Sequence, residues 1–159
     1  MNRALLLILL RGFGTGYTPG MPGTAGSLFA FLLTIPVWIY RQRIGVIPAA
    51  STLVVLAIFT GFLTWIGFRS CQDEWEEFDP SEIVLDEFTG TFLITGVTSM
   101  LGQHVWIFIG FVLFRFFDML KPFPIRIIEH ADRYAGLVLD DVAAAAMAGL
   151  TTASIWIII

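Results

Sequence analysis

The chain has 159 residues, is 57% apolar and only 14% charged, and has a mean hydropathy of +0.81. That balance excludes an ordinary soluble domain, which is closer to about half apolar and a quarter charged. The net charge of -4 is a local matter, because six of the thirteen acids fall in residues 73–82. No basic stripe is interleaved with aromatics, so nucleic acid is not expected as a partner.

The length allows one domain, residues 1–159, and the expected fold class is all-α: a polytopic membrane helical bundle of about five spans with a Gly/Pro-rich N-terminal loop. Met1-Asn2-Arg3 and the apolar residues 4–10 resemble the opening of a signal peptide. No small-x-small cleavage site precedes Arg11, so an uncleaved segment, on the membrane surface or partly inserted, is expected.

Residues 12–27 read GFGTGYTPGMPGTAGS, and six glycines with two prolines rule out a helix over most of this stretch. It runs directly into an apolar segment, so Thr24 or Ser27 is expected to cap a helix there. Free N–H groups at such a start can hold a phosphate. A nucleotide-binding P-loop is excluded because no lysine follows the glycines. The plainer alternative is a flexible lead-in to a capped helix.

A transmembrane helix needs about 20 mostly apolar residues. Residues 45–68 meet this between Arg43 and Arg69, and residues 137–159 meet it if Asp140-Asp141 lies at the mouth. Residues 83–117 suit a two-span hairpin turning at Gly102-Gln103-His104. Its second arm, 105–117, is short unless the helix continues through Arg115 and Asp118. Residues 28–40 are short too, unless their helix begins near Thr24. With five spans, seven basic residues (Arg3, Arg11, Arg69, Arg115, Lys121, Arg126, Arg133) share one side and two (Arg41, Arg43) the other. The positive-inside rule puts the first side in the cytoplasm, and the acidic pairs with it.

Charges next to apolar runs are costly in hydrocarbon and usually have a function. Asp86-Glu87 opens the third span, and its two side chains point about 100° apart on a helix. One can bind a cation while the other caps the helix or pairs with a base; the alternative is a pair of interfacial acids ending a span. Arg115, Asp118 and Lys121 stand three apart and predict a ladder on one helix face before Pro122 and Pro124 end it. Such a row suits an anionic headgroup, with Arg forking onto phosphate oxygens and Asp binding a metal or orienting Arg. A self-neutralising network flanking a span is the alternative.

Asp140-Asp141 has no cation nearby in sequence, so it calls for a divalent metal or basic groups from elsewhere. Oxygen-rich sites of this type suit Mg2+, which takes one or two carboxylates and substrate phosphate. His104 and His130 are too isolated for a transition-metal site, and the acidic run 73–82 reads as a solvated face. Cys71, the only cysteine, reads as an inert thiol; no Cys-x5-Arg signature follows it, which excludes a cysteinyl-phosphate route.

Four blocks in order resemble the bacterial phosphatidylglycerophosphatase A family: the Pro-Gly-Thr-x-Gly-Ser end of residues 12–27, Asp86-Glu87-x-x-Gly90, Phe114-Arg115-x-x-Asp118-x-x-Lys121-Pro122-x-Pro124-Ile125, and Asp140-Asp141. Small departures are Met21 before Pro22-Gly23 and Leu137-Val138 before the last pair. The resemblance implies an Mg2+-dependent enzyme of the bacterial inner membrane. It would remove the terminal phosphate of phosphatidylglycerophosphate, a lipid partner, to give phosphatidylglycerol and phosphate.

On that reading Glu87, Asp118 and Asp141 are the first-choice metal ligands, with Asp86 and Asp140 next. Arg115 and Lys121 would hold the phosphoryl oxygens. Thr24, Gly26 and Ser27 would offer hydroxyl and N–H donors. Either an aspartate or a metal-held water remains open as nucleophile. A phosphotransferase using a CDP-linked lipid is disfavoured because its spaced Asp-Gly and Ala-Arg signature is absent. A small transporter or channel is the alternative from another class; it predicts charges spread through the membrane depth rather than gathered at one face.

Overall fold

The computed structural model describes residues 2–75 and 80–159. Residues 76–79 of the acidic run therefore lie outside the described residues. The chain is all-α: α1 (Arg3–Leu10), a 3-10 turn (Gly12–Tyr17), α2 (Pro22–Ile44), α3 (Val46–Ser70), a second 3-10 turn (Gln72–Glu74), α4 (Leu85–Ser99), α5 (His104–Leu120), α6 (Ile125–Glu129) and α7 (Gly136–Ile158).

Among the described residues, three helices, α2, α3 and α7, are long and apolar enough to cross a membrane. The apolar segment 28–40 belongs to a longer helix because Pro22 occupies the first helical position, where its missing N–H is harmless. The expected hairpin forms, turning at residues 100–103, and its second arm runs on to Leu120. Its first arm is the shorter one. At about 1.5 Å per residue, the 15 residues of α4 and the 17 of α5 reach about 22 and 26 Å, less than the roughly 30 Å of hydrocarbon. Among the described residues the structure thus supplies three helices of full spanning length, with the α4–α5 hairpin reaching less than the hydrocarbon depth.

The shortness of α4 has a packing reason. Twelve of its fifteen residues are buried, because α2, α3, α5 and α7 all pack around it. A helix enclosed by protein need not match the bilayer. Small residues permit the close approach: a Cβ on Gly90 would strike the Phe114 ring, and one on Gly110 would lie 2.6 Å from Thr98 Cγ2. Most buried hydroxyls in this core are satisfied within the helices or between them, Thr91 Oγ1 being an exception. Thr95 and Thr98 donate to the carbonyls four residues back, and Thr60 and Thr89 meet at 3.0 Å.

The helix ends sort into two groups. At one end the starts of α2, α4 and α7 meet the end of α5. At the other, Arg41 near the end of α2 donates to the Ser99 and Gly102 carbonyls of the α4–α5 turn. Cys71 is fully buried just past α3, and burial raises its thiol pKa, in keeping with an inert thiol.

Candidate active site

Both acidic pairs use the same local device. Asp86 Oδ1 accepts the Glu87 N–H at 3.0 Å, and Asp140 Oδ1 accepts the Asp141 N–H at 2.9 Å. The first acid of each pair turns back to the backbone, and the second is left to project elsewhere. Adjacent carboxylates on a helix are separated in this way rather than forced to share one direction.

The second acids converge with Asp118. Glu87, Asp118 and Asp141 each offer a carboxylate oxygen, and the three oxygens all lie within 4.8 Å of one another. Three carboxylates this close repel unless cations stand among them. Arg115 supplies one: its Nη1 bonds Glu87 Oε2 and lies 2.7 Å from Asp118 Oδ2. Ser27 also donates to Glu87 Oε2, at 2.8 Å, and Arg115 Nη2 donates to Thr24 Oγ1 at 3.3 Å. Asp141 Oδ1, by contrast, is buried with no hydrogen-bond partner. A buried carboxylate oxygen lacking a donor is a costly arrangement that a hard cation relieves. The all-oxygen donor set and that orphaned atom fit a divalent ion.

Lys121 corrects the expected ladder. It ends α5 in the left-handed region, at φ 43°, so its side chain departs from helical spacing while staying within electrostatic reach of Asp118. Its ammonium lies 2.6 Å from Glu129 Oε1 and 2.8 Å from Asp140 Oδ2. The cation that the last acidic pair requires therefore comes from the end of α5.

These groups border a cleft of about 190 Å³ lined by Pro22, Gly23, Ser81, Ile83, Asp86, Glu87, Asp118, Lys121, Leu137, Asp140 and Asp141. A larger cavity of about 380 Å³ beside α1 is mostly apolar and holds none of the acids, so chemistry favours the smaller one. Arg115, Thr24 and Ser27 are outside the cleft lining, and Arg115 and Ser27 bond to its carboxylates. Gly26 packs against Val84, where a Cβ would come within 2.8 Å. Neither Thr24 nor Ser27 caps α2; Met21 is the N-cap and makes no side-chain cap bond. Ser27 instead bonds the Gly23 carbonyl and Glu87.

A family profile described as Phosphatidylglycerophosphatase A matches residues 8–156. The chain belongs to the phosphatidylglycerophosphatase A family. Its similarity to named phosphatidylglycerophosphatases A is 37% identity over 142 residues in Haemophilus influenzae, covering 87% of this chain and 80% of that protein. In Escherichia coli it is 36% over 138 residues, covering 86% and 75%. A Bacteroides thetaiotaomicron protein provisionally named a phosphatidylinositol-3-phosphatase is 33% identical over 141 residues, covering 88% and 86%. No solved structure matches the chain. The phosphatidylglycerophosphatase A match takes in all four helices that build the cleft, α2, α4, α5 and α7.

Two residues of this site are not evident from sequence pattern. Gly23 lines the cleft, and a Cβ there would collide with Glu87 Oε1. Glu129 reaches Lys121 across two prolines, a separation with no helical period to betray it.

Proposed function

We propose that the chain, acting as one domain, hydrolyses the terminal phosphate of phosphatidylglycerophosphate at the cytoplasmic face of the bacterial inner membrane. The products are phosphatidylglycerol and inorganic phosphate. The observation that carries this reading is the convergence of Glu87, Asp118 and Asp141 within 4.8 Å beside Lys121, at one end of an apolar bundle.

Mg2+ is the proposed cofactor, with Glu87, Asp118 and Asp141 to hold it and Asp86 and Asp140 beside them. When bound it supplies charge neutralisation and Lewis acidity toward phosphoryl oxygens. Lys121, on the cleft wall, offers its ammonium to a phosphate oxygen. Arg115, which grips Glu87 and Asp118 and is not among the residues lining the cleft, acts through those carboxylates rather than on the phosphate. Ser27 and Thr24 hold Glu87 and Arg115 in turn. This rigid backing keeps the donor oxygens in place before substrate arrives, which lowers the cost of ordering them during reaction.

The site acids gather at one end of the bundle, which suits chemistry on a headgroup and disfavours the transporter reading. Five crossings, with α4 and α5 added to α2, α3 and α7, keep seven basic residues on the site side against Arg41 and Arg43. That asymmetry supports a cytoplasmic site.

The test is phosphate release by purified protein in mixed micelles, with and without Mg2+. Substrates are phosphatidylglycerophosphate, phosphatidylinositol 3-phosphate, phosphatidic acid and glycerol 3-phosphate. Mg2+-dependent release with preference for the first is expected; release independent of metal, or none, overturns the proposal.

A further inference from the structure

We infer that Glu129 is a positioning residue that sets Lys121 on the wall of the cleft. The inference rests on the phosphatase reading above and adds a member to its machinery.

Glu129 is delivered by the fold, not by its own helix face. After Lys121 closes α5 with its N–H on the Phe117 carbonyl at 2.8 Å, the chain turns through Pro122 and Pro124 into the five-residue α6. Ile125 anchors α6: it is fully buried in the cluster that holds Phe114, Ile94 and Ala144. The end of α6 then touches the start of α7 so closely that a Cβ on Gly136 would run into the Glu129 carbonyl. This contact brings Glu129 and Asp140 to one ammonium, at 2.6 and 2.8 Å.

Glu129 is mostly buried, with a side chain 14% exposed, and it is not among the residues lining the cleft. Lys121 and Asp140 are. Its other oxygen, Oε2, lies 3.6 Å from His130 Nδ1, which also meets the Arg126 carbonyl at 2.9 Å. Among the residues lining the cleft, Lys121 is the one to which Glu129 is joined by a hydrogen bond. A lysine stem is long and flexible, and a single acceptor leaves its ammonium many places to go. Two acceptors, one on α6 and one on α7, fix it at one point, so ordering is in place before a phosphate oxygen arrives.

The experiment compares phosphate release by the full-length wild type, Glu129→Gln, Glu129→Asp, Lys121→Met and the Glu129→Gln/Lys121→Met double variant, in micelles with saturating Mg2+. Glu129→Gln raises KM for the lipid about tenfold with kcat within about twofold, the signature of lost binding common to ground and transition state. Glu129→Asp, which keeps the charge, recovers most of that loss. In the Lys121→Met background Glu129→Gln changes nothing further. A wild-type KM in Glu129→Gln, a fall in kcat alone, or an equal loss in the Lys121→Met background overturns the inference. If Glu129→Gln does not fold, Glu129→Ala, measured with and without Lys121→Met, takes its place under the same criterion. A wild type that releases no phosphate fails earlier, and overturns the phosphatase reading itself.

Discussion

Lys121 and Asp140 meet at 2.8 Å across the junction between the end of α5 and the start of α7. The two site cations lie along the row of acids, with Asp118 within electrostatic reach of both. Arg115 serves Glu87 and Asp118, while Lys121 serves Asp140 and Glu129. Asp141 receives no hydrogen bond at its buried Oδ1, and it is there that a divalent ion has most to offer.

Asp141→Asn is predicted to trade function for stability. In the absence of divalent ions it removes repulsion among buried carboxylates, so the variant is expected to be more stable than wild type by about 1–3 kcal/mol. Wild type gains stability as Mg2+ is added, because the ion binds the folded state. The variant should lose most of that gain. Thermal unfolding in detergent across an Mg2+ titration checks both halves, and a wild-type response in the variant contradicts the ligand assignment.

Arg115 is 12% exposed in its side chain and grips two carboxylates. Removing one partner of a buried ion pair costs about 3–5 kcal/mol, so Arg115→Met is predicted to be strongly destabilised. Arg115→Lys keeps the charge but cannot reach Glu87, Asp118 and Thr24 together. It should fold and lose at least about tenfold in kcat/KM, a drop equal to about 1.4 kcal/mol. Unfolding midpoints and steady-state rates on the two variants separate the structural and orienting contributions.

Gly23→Ala places a methyl group against the Glu87 carboxylate, with Arg115 Nη2 at 3.5 Å. The carboxylate is the far end of a flexible side chain, so folding tolerates its displacement while the site does not. Activity is predicted to fall about tenfold or more with an unfolding midpoint close to wild type. Gly149→Ala is the control: its Cβ meets only ordinary contacts at 3.7 Å. Equal activities in the two variants would count against the site.

Asp132 holds the loop before α7, with Oδ1 accepting the N–H groups of Tyr134 at 2.9 Å and Ala135 at 2.7 Å. Those bonds hold its carboxyl below the usual value. Its contribution is therefore present above the unfolded carboxyl value of about 3.9 and is lost as pH falls through the lower folded value. The difference in midpoint between wild type and Asp132→Ala should be seen at neutral pH and shrink in acid. A difference that grows in acid contradicts this.

Much of the fold could be read from apolar runs punctuated by Gly, Pro and charge. The hairpin turn at Gly102 and the ends of α3 and α7 follow from such punctuation. The extent of α2 was less legible, because Pro22 starts the helix ahead of the apolar run. Nothing in the composition of residues 85–99 says that they are enclosed on several sides, an enclosure that lets α4 be shorter than the bilayer. At the site, Glu87, Asp118 and Asp141 stood out as acids beside apolar runs, and the fold gathers them. The Arg115–Asp118 rung follows from helical spacing. The Lys121 rung departs from helical geometry because the helix ends at that residue in a left-handed turn. That turn brings the ammonium to Glu129 and Asp140 while leaving it near Asp118. Glu129 carries no signal in the sequence, since its link to Lys121 depends on how two prolines redirect the chain.

The central claim is that the carboxylates gathered by α4, α5 and α7 carry out lipid phosphate release. The most direct measurement is the initial rate of phosphate release from phosphatidylglycerophosphate by wild type and by a Glu87→Ala/Asp118→Ala double variant as Mg2+ is raised from zero. The account predicts an Mg2+-dependent rate for wild type and none above background for the double variant at any Mg2+ concentration. Full activity in the double variant contradicts it.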